Sequence, residues 1–490
     1  MLYRSTRDHS ITATSTQAVL DGIASGGGLY MPQNLCADAF DWKSLLNLST
    51  MEMSEKILSH FLPDFEDMHG IVTRAYTGKF ATDELTPTVP VGDKYVLELF
   101  HGPTAAFKDV ALSVLPQLIV AAKKQEGVTD EIMILTATSG DTGKAAMEGF
   151  RDVDGTRITV FYPRDGVSTV QKAQMATQEG KNVKVCAVEG NFDDAQTGVK
   201  EIFTQVDKEG TLRGSGVQLS SANSINIGRL APQVVYYFKA YADLVKMGRI
   251  SVGDEVDFVV PTGNFGNILA GYLAGCLGLP VGKLVCASNA NNVLTDFINT
   301  GVYDKKRPFY KTASPSMDIL VSSNLERLLY LLSGQDCDFV AEKMQELKEN
   351  GEYAVPETLL RKLQDKFWAD CSDDAETSVT IGKVWKEFGY LCDTHTAVGF
   401  AVAERFVAQT GSKNPCVVLS TASPYKFPAS VVKGLGAEPC EDEFAVMEQL
   451  ESLTGTKMHR ALAGLREKTV LHKDVTKPVD MMDYVMKLVK

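Results

Sequence analysis

The chain has 490 residues, 44% hydrophobic and 23% charged, with a net charge of −13. That length predicts two or three domains, and the balance is ordinary for a soluble globular protein. An acidic chain of this kind is not expected to hold nucleic acid or an anionic membrane by bulk attraction, so any anionic ligand needs a local site.

In chain order, the start "MLYRSTRDHS" lacks an apolar segment, so no signal peptide is expected. The first ninety residues hold "DGIASGGGLYMP" and several short helical segments, and predict a separate N-terminal unit. Then short apolar runs alternate with helical patterns. The runs are "YVLELF", "EIMILTAT", "ITVFYP", "VKVCAVEG", "VDFVVPTG", "KLVCAS" and "CVVLSTAS". Continuous apolar strands alternating with helices predict parallel sheets covered on both faces, an α/β protein. The longest apolar helix, "VALSVLPQLIVAA", is too short to span a membrane. Residues 322–390 read as a helical insertion, "PETLLRKLQDKFWADC" included, and the last fifty residues as mainly helical. Nine cysteines, at 36, 186, 276, 286, 337, 371, 392, 416 and 440, show no CxxC spacing; this predicts no zinc ribbon and a reducing, cytoplasmic setting.

Three strand-end loops carry the chemistry. In "LTATSGDTGKAAMEGF" a strand runs into Ser139, Gly140, Asp141 and Thr142, and a helix follows. Its first-turn N–H groups form an anion seat, with a plain strand-to-helix turn as the alternative. A Walker A loop is excluded by the close glycines and by Ala145 where a magnesium-binding hydroxyl is needed. In "VVPTGNFGNILAGYLAG", Gly263, Asn264, Phe265, Gly266 and Asn267 predict a phosphate cradle; GxGxxG is absent, which disfavours a dinucleotide fold. "CVVLSTASPYKFP" ends a strand with Ser420, Thr421 and Ser423, all able to offer a neutral hydroxyl.

A single lysine, Lys108 in "HGPTAAFKD", lies between a buried strand and an apolar helix. Neutralising a lysine at pH 7 costs about 4.6 kcal/mol from its reference pKa. Burial lowers that pKa, and an imine removes the problem by making the amine covalent. A ligand with a phosphate, a carbonyl and a ring heteroatom would use all these features, and pyridoxal 5'-phosphate has them; a lysine snorkelling to the surface is the alternative. With seven histidines in the chain and no second one at ligand spacing from His101 or His395, no metal is expected.

At these residues the chain resembles the threonine synthases of the bacterial and fungal subgroup. The likeness runs through "YRSTRD", "AVLDGIASGGGLYMP", "LTPTVPV", "LELFHGPTAAFKD", "TATSGDTGKAA", "SANSINIGRLAPQVVYYF", "PTGNFGNILAG", "DTHTAVGFAVAE" and "LSTASPYKFP". It implies a fold type II pyridoxal-phosphate enzyme, tryptophan synthase β-like, with two open twisted sheets flanked by helices, an N-terminal α/β unit and helical insertions. The implied units are 1–94, a smaller lobe 95–235 carrying the lysine, a larger lobe 236–435 and a helical C-terminal segment 436–490.

The resemblance also implies roles. Lys108 would bind the cofactor aldehyde and later shuttle protons. Residues 263–267 would bind the cofactor phosphate, and Thr421 the pyridine nitrogen. Ser139, Gly140, Asp141 and Thr142 would take the substrate carboxylate. Asn223, Ser224, Asn226 and Arg229 are the candidates for the substrate phosphate, with Lys172 a weaker one; a salt bridge anchoring a helix start is the alternative for Arg229. Many relatives in the wider fold carry Asn at the position of Asp141, and a carboxylate so close to bound anions needs a donor or a proton. The implied reaction converts O-phospho-L-homoserine and water into L-threonine and phosphate. The alternatives are a phospho-lyase releasing 2-oxobutyrate, ammonia and phosphate, and a non-catalytic binding protein. The partners expected are the small-molecule substrate and, at most, a second copy in a homodimer.

Overall fold

The computed structural model describes residues 1–35, 40–138, 140–164 and 167–489, with the backbone alone at 192, 193 and 207–209. Ser139 and Cys36, both singled out in the sequence, lie outside the described residues.

All seven apolar runs form strands, because each is buried on both faces and needs a neighbour on each side for its backbone groups. They fall in two sheets. In the larger, the order is Phe367–Cys371, Val281–Ser288, Val256–Pro261, Cys416–Ser420, Lys94–Glu98 and Thr88–Val91. Its pairs are parallel except the outer one, Thr88–Val91 with Lys94–Glu98, which a tight turn closes at Gly92 with φ 61°. In the smaller sheet the order is Asp474–Thr476, Val183–Val188, Thr156–Pro163, Glu131–Ala137 and Val217–Ser220, parallel throughout.

Three features differ from the sequence pattern. The strand Lys94–Glu98 pairs with Cys416–Ser420, so the unit expected at 95–235 gives its first strand to the larger sheet. The segment read as one helix to Cys371 is helical over Glu357–Lys366 and then becomes the edge strand Phe367–Cys371, paired with residues 284–288. Phe367 and Trp368 suit a strand, and the waiting edge of Val281–Ser288 decides. The mainly helical last fifty residues also contain Asp474–Thr476, which closes one edge of the smaller sheet.

The Ile227–Lys246 helix is buried along nearly its whole length, and two of its charges, Lys239 and Asp243, neutralise each other at 2.5 Å. It packs on Lys108–Gln125 and Gly266–Cys276, the two helices that begin at the candidate lysine and the candidate phosphate turn. The N-terminal unit adds a three-stranded antiparallel sheet, and its helices Thr50–Phe61 and Met68–Tyr76 pack on Ile227–Lys246 and Lys108–Gln125 respectively. The loops of interest follow the carboxyl ends of Lys94–Glu98, Glu131–Ala137, Val256–Pro261 and Cys416–Ser420, where ligands gather in open α/β sheets. Among the described residues no helix is long and apolar enough to cross a membrane.

Candidate active site

The loop before Lys108 is wound around its own aspartate. Asp109 is buried, and its carboxylate accepts from the Thr104 backbone N–H at 2.8 Å and from the Thr104 hydroxyl at 2.5 Å. Burial pushes its carboxyl up to about 6, against those hydrogen bonds. Gly102 is required there, since a Cβ would sit 2.3 Å from that of Asp109. Ala105 takes the left-handed conformation, φ 61°. The loop is also stitched to the third strand end: Phe107 N–H donates to the Thr421 carbonyl at 2.9 Å and Ser423 N–H to that of Ala105 at 3.0 Å.

Lys108 therefore starts its helix with its side chain 11% exposed. Burial lowers its amine to about 8; Asp141 opposes the shift, and Lys426 and Arg229 add to it. Its Nζ lies 3.5 Å from the Ser316 hydroxyl and 3.8 Å from Asp141 Oδ2.

Asp141 opens the Asp141–Phe150 helix behind Gly140, whose φ of 148° suits glycine alone. The Thr138 hydroxyl accepts from the N–H groups of Gly140 at 2.9 Å and Gly143 at 3.0 Å. Thr142 is half-buried beside them. The counter-charge that the Asp141 carboxylate calls for is Lys426, whose ammonium sits 2.8 Å from Oδ1 and donates to the Thr104 carbonyl at 3.1 Å. Burial alone would raise the Asp141 carboxyl, but Lys426 and Lys108 hold it well below the usual carboxylate range.

Ser316 joins the parts. Its hydroxyl donates to Asp141 Oδ2 at 3.3 Å, and its backbone N–H donates to His395 Nε2 at 3.1 Å. His395 Nδ1 faces Asp393 Oδ2 at 2.7 Å. With Nδ1 held against the Asp393 carboxylate, the His395 ring turns Nε2 toward the Ser316 N–H and so orients Ser316.

The glycine turn lies on the other side of Ser316. A Cβ on Gly263 would sit 2.9 Å from the Ser316 carbonyl oxygen, so only glycine lets the two segments meet. Phe265 is buried in the left-handed region, φ 62°, and turns the chain into the Gly266–Cys276 helix, whose first N–H groups lack intrahelical partners. Asn267 is pinned by Tyr236, which donates to its Oδ1 at 2.5 Å, and by Tyr237, which donates to its carbonyl at 2.8 Å. Its Nδ2 is buried without a hydrogen-bond partner. The exposed Asn264 gives its carbonyl to the Asn324 side-chain amide at 2.9 Å, and the same amide lies 3.4 Å from the Ser224 hydroxyl. Asn324 is held in turn by Arg327, a fully buried guanidinium.

Of the remaining candidates, Thr421 is buried. Arg229 is buried and close enough to act on Lys108; one guanidinium nitrogen donates to the Ala222 carbonyl at 2.8 Å, and its Nε has no partner among the described residues. Asn223 is exposed, with its side-chain oxygen 3.5 Å from the Thr136 hydroxyl. The Asn226 side chain is occupied elsewhere: it caps the Ile227–Lys246 helix and donates to the Val19 carbonyl at 2.9 Å. Lys172 is exposed. His101 stacks on Phe100 and meets Glu98 at 2.8 Å.

Lys426, Ser316, Asn324 and Arg327 were not singled out in the sequence. Lys426 lies within the quoted "SPYKFP", and its neighbour Asp141 signalled an unmet donor. Ser316 and Arg327 follow no strand end and gave no such signal.

Comparison with known proteins identifies the family. Residues 2–76 match the family "Threonine synthase N terminus", residues 95–422 "Pyridoxal-phosphate dependent enzyme" and residues 396–469 "Threonine synthase, C-terminal". The human "Threonine synthase-like 1" is 41% identical over 434 residues, covering 86% of this chain, which spans only 58% of that relative. The threonine synthase of Pseudomonas aeruginosa is 40% identical over 447 residues, covering 90% of this chain and 92% of its own. Among solved structures, the PLP-bound threonine synthase from Brucella melitensis superposes with a TM-score of 0.87 at 37% identity, over 100% of this chain and 98% of that one. The yeast threonine synthase superposes with a TM-score of 0.86 at 32% identity, with the same coverage. From its first strand to its C-terminal segment, this chain belongs to the threonine synthase family.

Proposed function

We propose that this chain is a pyridoxal-phosphate enzyme that converts O-phospho-L-homoserine and water into L-threonine and phosphate. The cofactor fits the residues present. The 263–267 turn opens a helix whose first N–H groups lack intrahelical partners, and Asn267 Nδ2 is a buried donor in need of an acceptor. Residues 263–267 would hold its phosphate, Lys108 its aldehyde carbon, and Thr421 its ring nitrogen through a neutral hydroxyl. When bound, the cofactor supplies the electron sink that makes carbanions at Cα and then Cβ accessible.

The protein's own groups do the rest. The Lys108 amine, lowered to about 8, takes up and returns protons near neutral pH, as a base serving both carbons must. Asp141 Oδ2 and the Ser316 hydroxyl give its ammonium form a fixed place to sit. Gly140, Asp141 and Thr142 would form the seat for the substrate carboxylate; Ser139, also expected there, lies outside the described residues. Arg229, paired with no carboxylate among the described residues, would offer its unpartnered Nε–H to the leaving phosphate, with Asn223 and Ser224 of the preceding segment as further candidates. Asn226 contributes by capping the helix that carries Arg229. The reading extends to a reducing compartment such as the cytoplasm, since no disulfide joins any of the eight described cysteines.

The observation that carries this reading is the secluded, pKa-lowered amine of Lys108 held through Ser316 against the glycine turn. The test is product analysis. Purified protein with pyridoxal phosphate and O-phospho-L-homoserine should yield threonine and phosphate in equal amounts; 2-oxobutyrate without threonine overturns it.

A further inference from the structure

Lys426 occupies an unusual place. Its side chain is 1% exposed, and it reaches between two other loops. One contact is the 2.8 Å ion pair with Asp141 Oδ1, and the other is the 3.1 Å bond to the carbonyl of Thr104, the residue wound around Asp109. Its backbone is locked, because Lys426 N–H donates to the Ser423 carbonyl at 3.0 Å and Ser423 N–H donates to that of Ala105. A buried ammonium is tolerated only where its charge is matched and its hydrogen bonds are met, and here the match is a carboxylate that also faces the lysine at the centre of the site.

We propose that Lys426 is a positioning residue for the reaction: its ammonium balances and orients the Asp141 carboxylate, so that Oδ2 presents to the Lys108 amine beside a net-neutral pair. This rests on the reading of Lys108 as the cofactor-bearing amine. Without Lys426, Asp141 would be a lone buried anion, would hold the Lys108 proton too tightly and would be free to rotate away from its present face. Without Asp141, Lys426 would be a lone cation that drives the proton off. The other groups acting on Lys108 or Asp141 are Arg229, Asp109 and His395 with its partner Asp393; they are constant across the variants below.

The experiment is a pH titration of the visible absorbance of the holoenzyme, reconstituted with pyridoxal phosphate. Circular dichroism confirms that each variant is folded. K426M should raise the titration midpoint by about one pH unit or more, and D141N should lower it by a similar amount, as expected for a charge within a few ångströms. The double variant should return toward wild type, because the two charges act as one unit. K426R, which keeps the charge, should stay near wild type. If K426M does not fold, K426Q carries the same expectation. Equal midpoints in wild type, K426M and K426R overturn the proposal, as does a double variant in which the two shifts fail to cancel. A K426M enzyme with an unmoved midpoint and a raised KM would make Lys426 a direct substrate ligand instead. Failure of the underlying reading looks different: wild type itself would show no cofactor absorbance that depends on Lys108.

Discussion

Replacing Arg327 by methionine should loosen the cofactor turn from a distance. The guanidinium is fully buried and donates to the Tyr30 carbonyl at 3.2 and 3.1 Å, to the Ile225 carbonyl at 2.6 Å and to Asn324 Oδ1 at 2.6 Å. It thereby ties the N-terminal sheet, the 223–229 segment and, through Asn324, the Asn264 carbonyl of the glycine turn. Methionine fills much of the volume but leaves three acceptors without donors, at about 1–3 kcal/mol each. Burial already holds the guanidinium pKa down at about 10, so removing the charge returns roughly 3 kcal/mol. The net loss is then about 3 kcal/mol, read as a lower urea midpoint for the holoenzyme. With Asn324 released, pyridoxal phosphate should bind about tenfold more weakly, equivalent to about 1.4 kcal/mol. Arg327→Lys should not rescue, since an ammonium cannot reach the three acceptors in the planar fork geometry. Asn324→Ala should lose cofactor affinity with a smaller loss of stability. An R327M protein that binds the cofactor within about twofold of wild type would refute the coupling through Asn324.

In the apoenzyme, the rate of pyridoxal phosphate capture should rise about tenfold per pH unit and level off near pH 8, because the neutral Lys108 amine is the nucleophile and its pKa is lowered to about 8; a rise continuing to pH 10 in stopped-flow absorbance would contradict this. Gly263→Ala should weaken cofactor binding by about 1–3 kcal/mol, as its methyl meets the Ser316 carbonyl at 2.9 Å, which equilibrium dialysis would measure. Arg229→Met should raise KM for the phosphorylated substrate and weaken inhibition by inorganic phosphate in parallel, by about a hundredfold for a charged bidentate contact; an unchanged phosphate inhibition constant would remove Arg229 from that role. His395→Ala leaves the Ser316 N–H without its acceptor and should cost about tenfold in kcat, with the absorbance of bound cofactor retained.

Local signals were enough for much of this protein. Seven apolar runs became seven strands, since a strand buried on both faces must be apolar along its whole length. Lys108 stood out as a charge between a buried strand and a buried helix, and the 263–267 turn as glycines and amides at a helix start. These features depend on residues next to one another in the chain. What tertiary structure decided is which distant groups meet. Phe367–Cys371 reads as the end of a helix until the edge of Val281–Ser288 pairs with it. Asp141 advertises a missing donor, but only the folded chain names Lys426. Arg327 finds its partners 297 and 102 residues away, at Tyr30 and Ile225. A buried charge is stable only through the acceptors and counter-charges around it, and in this fold those arrive from separate segments, so no local window of sequence contains them.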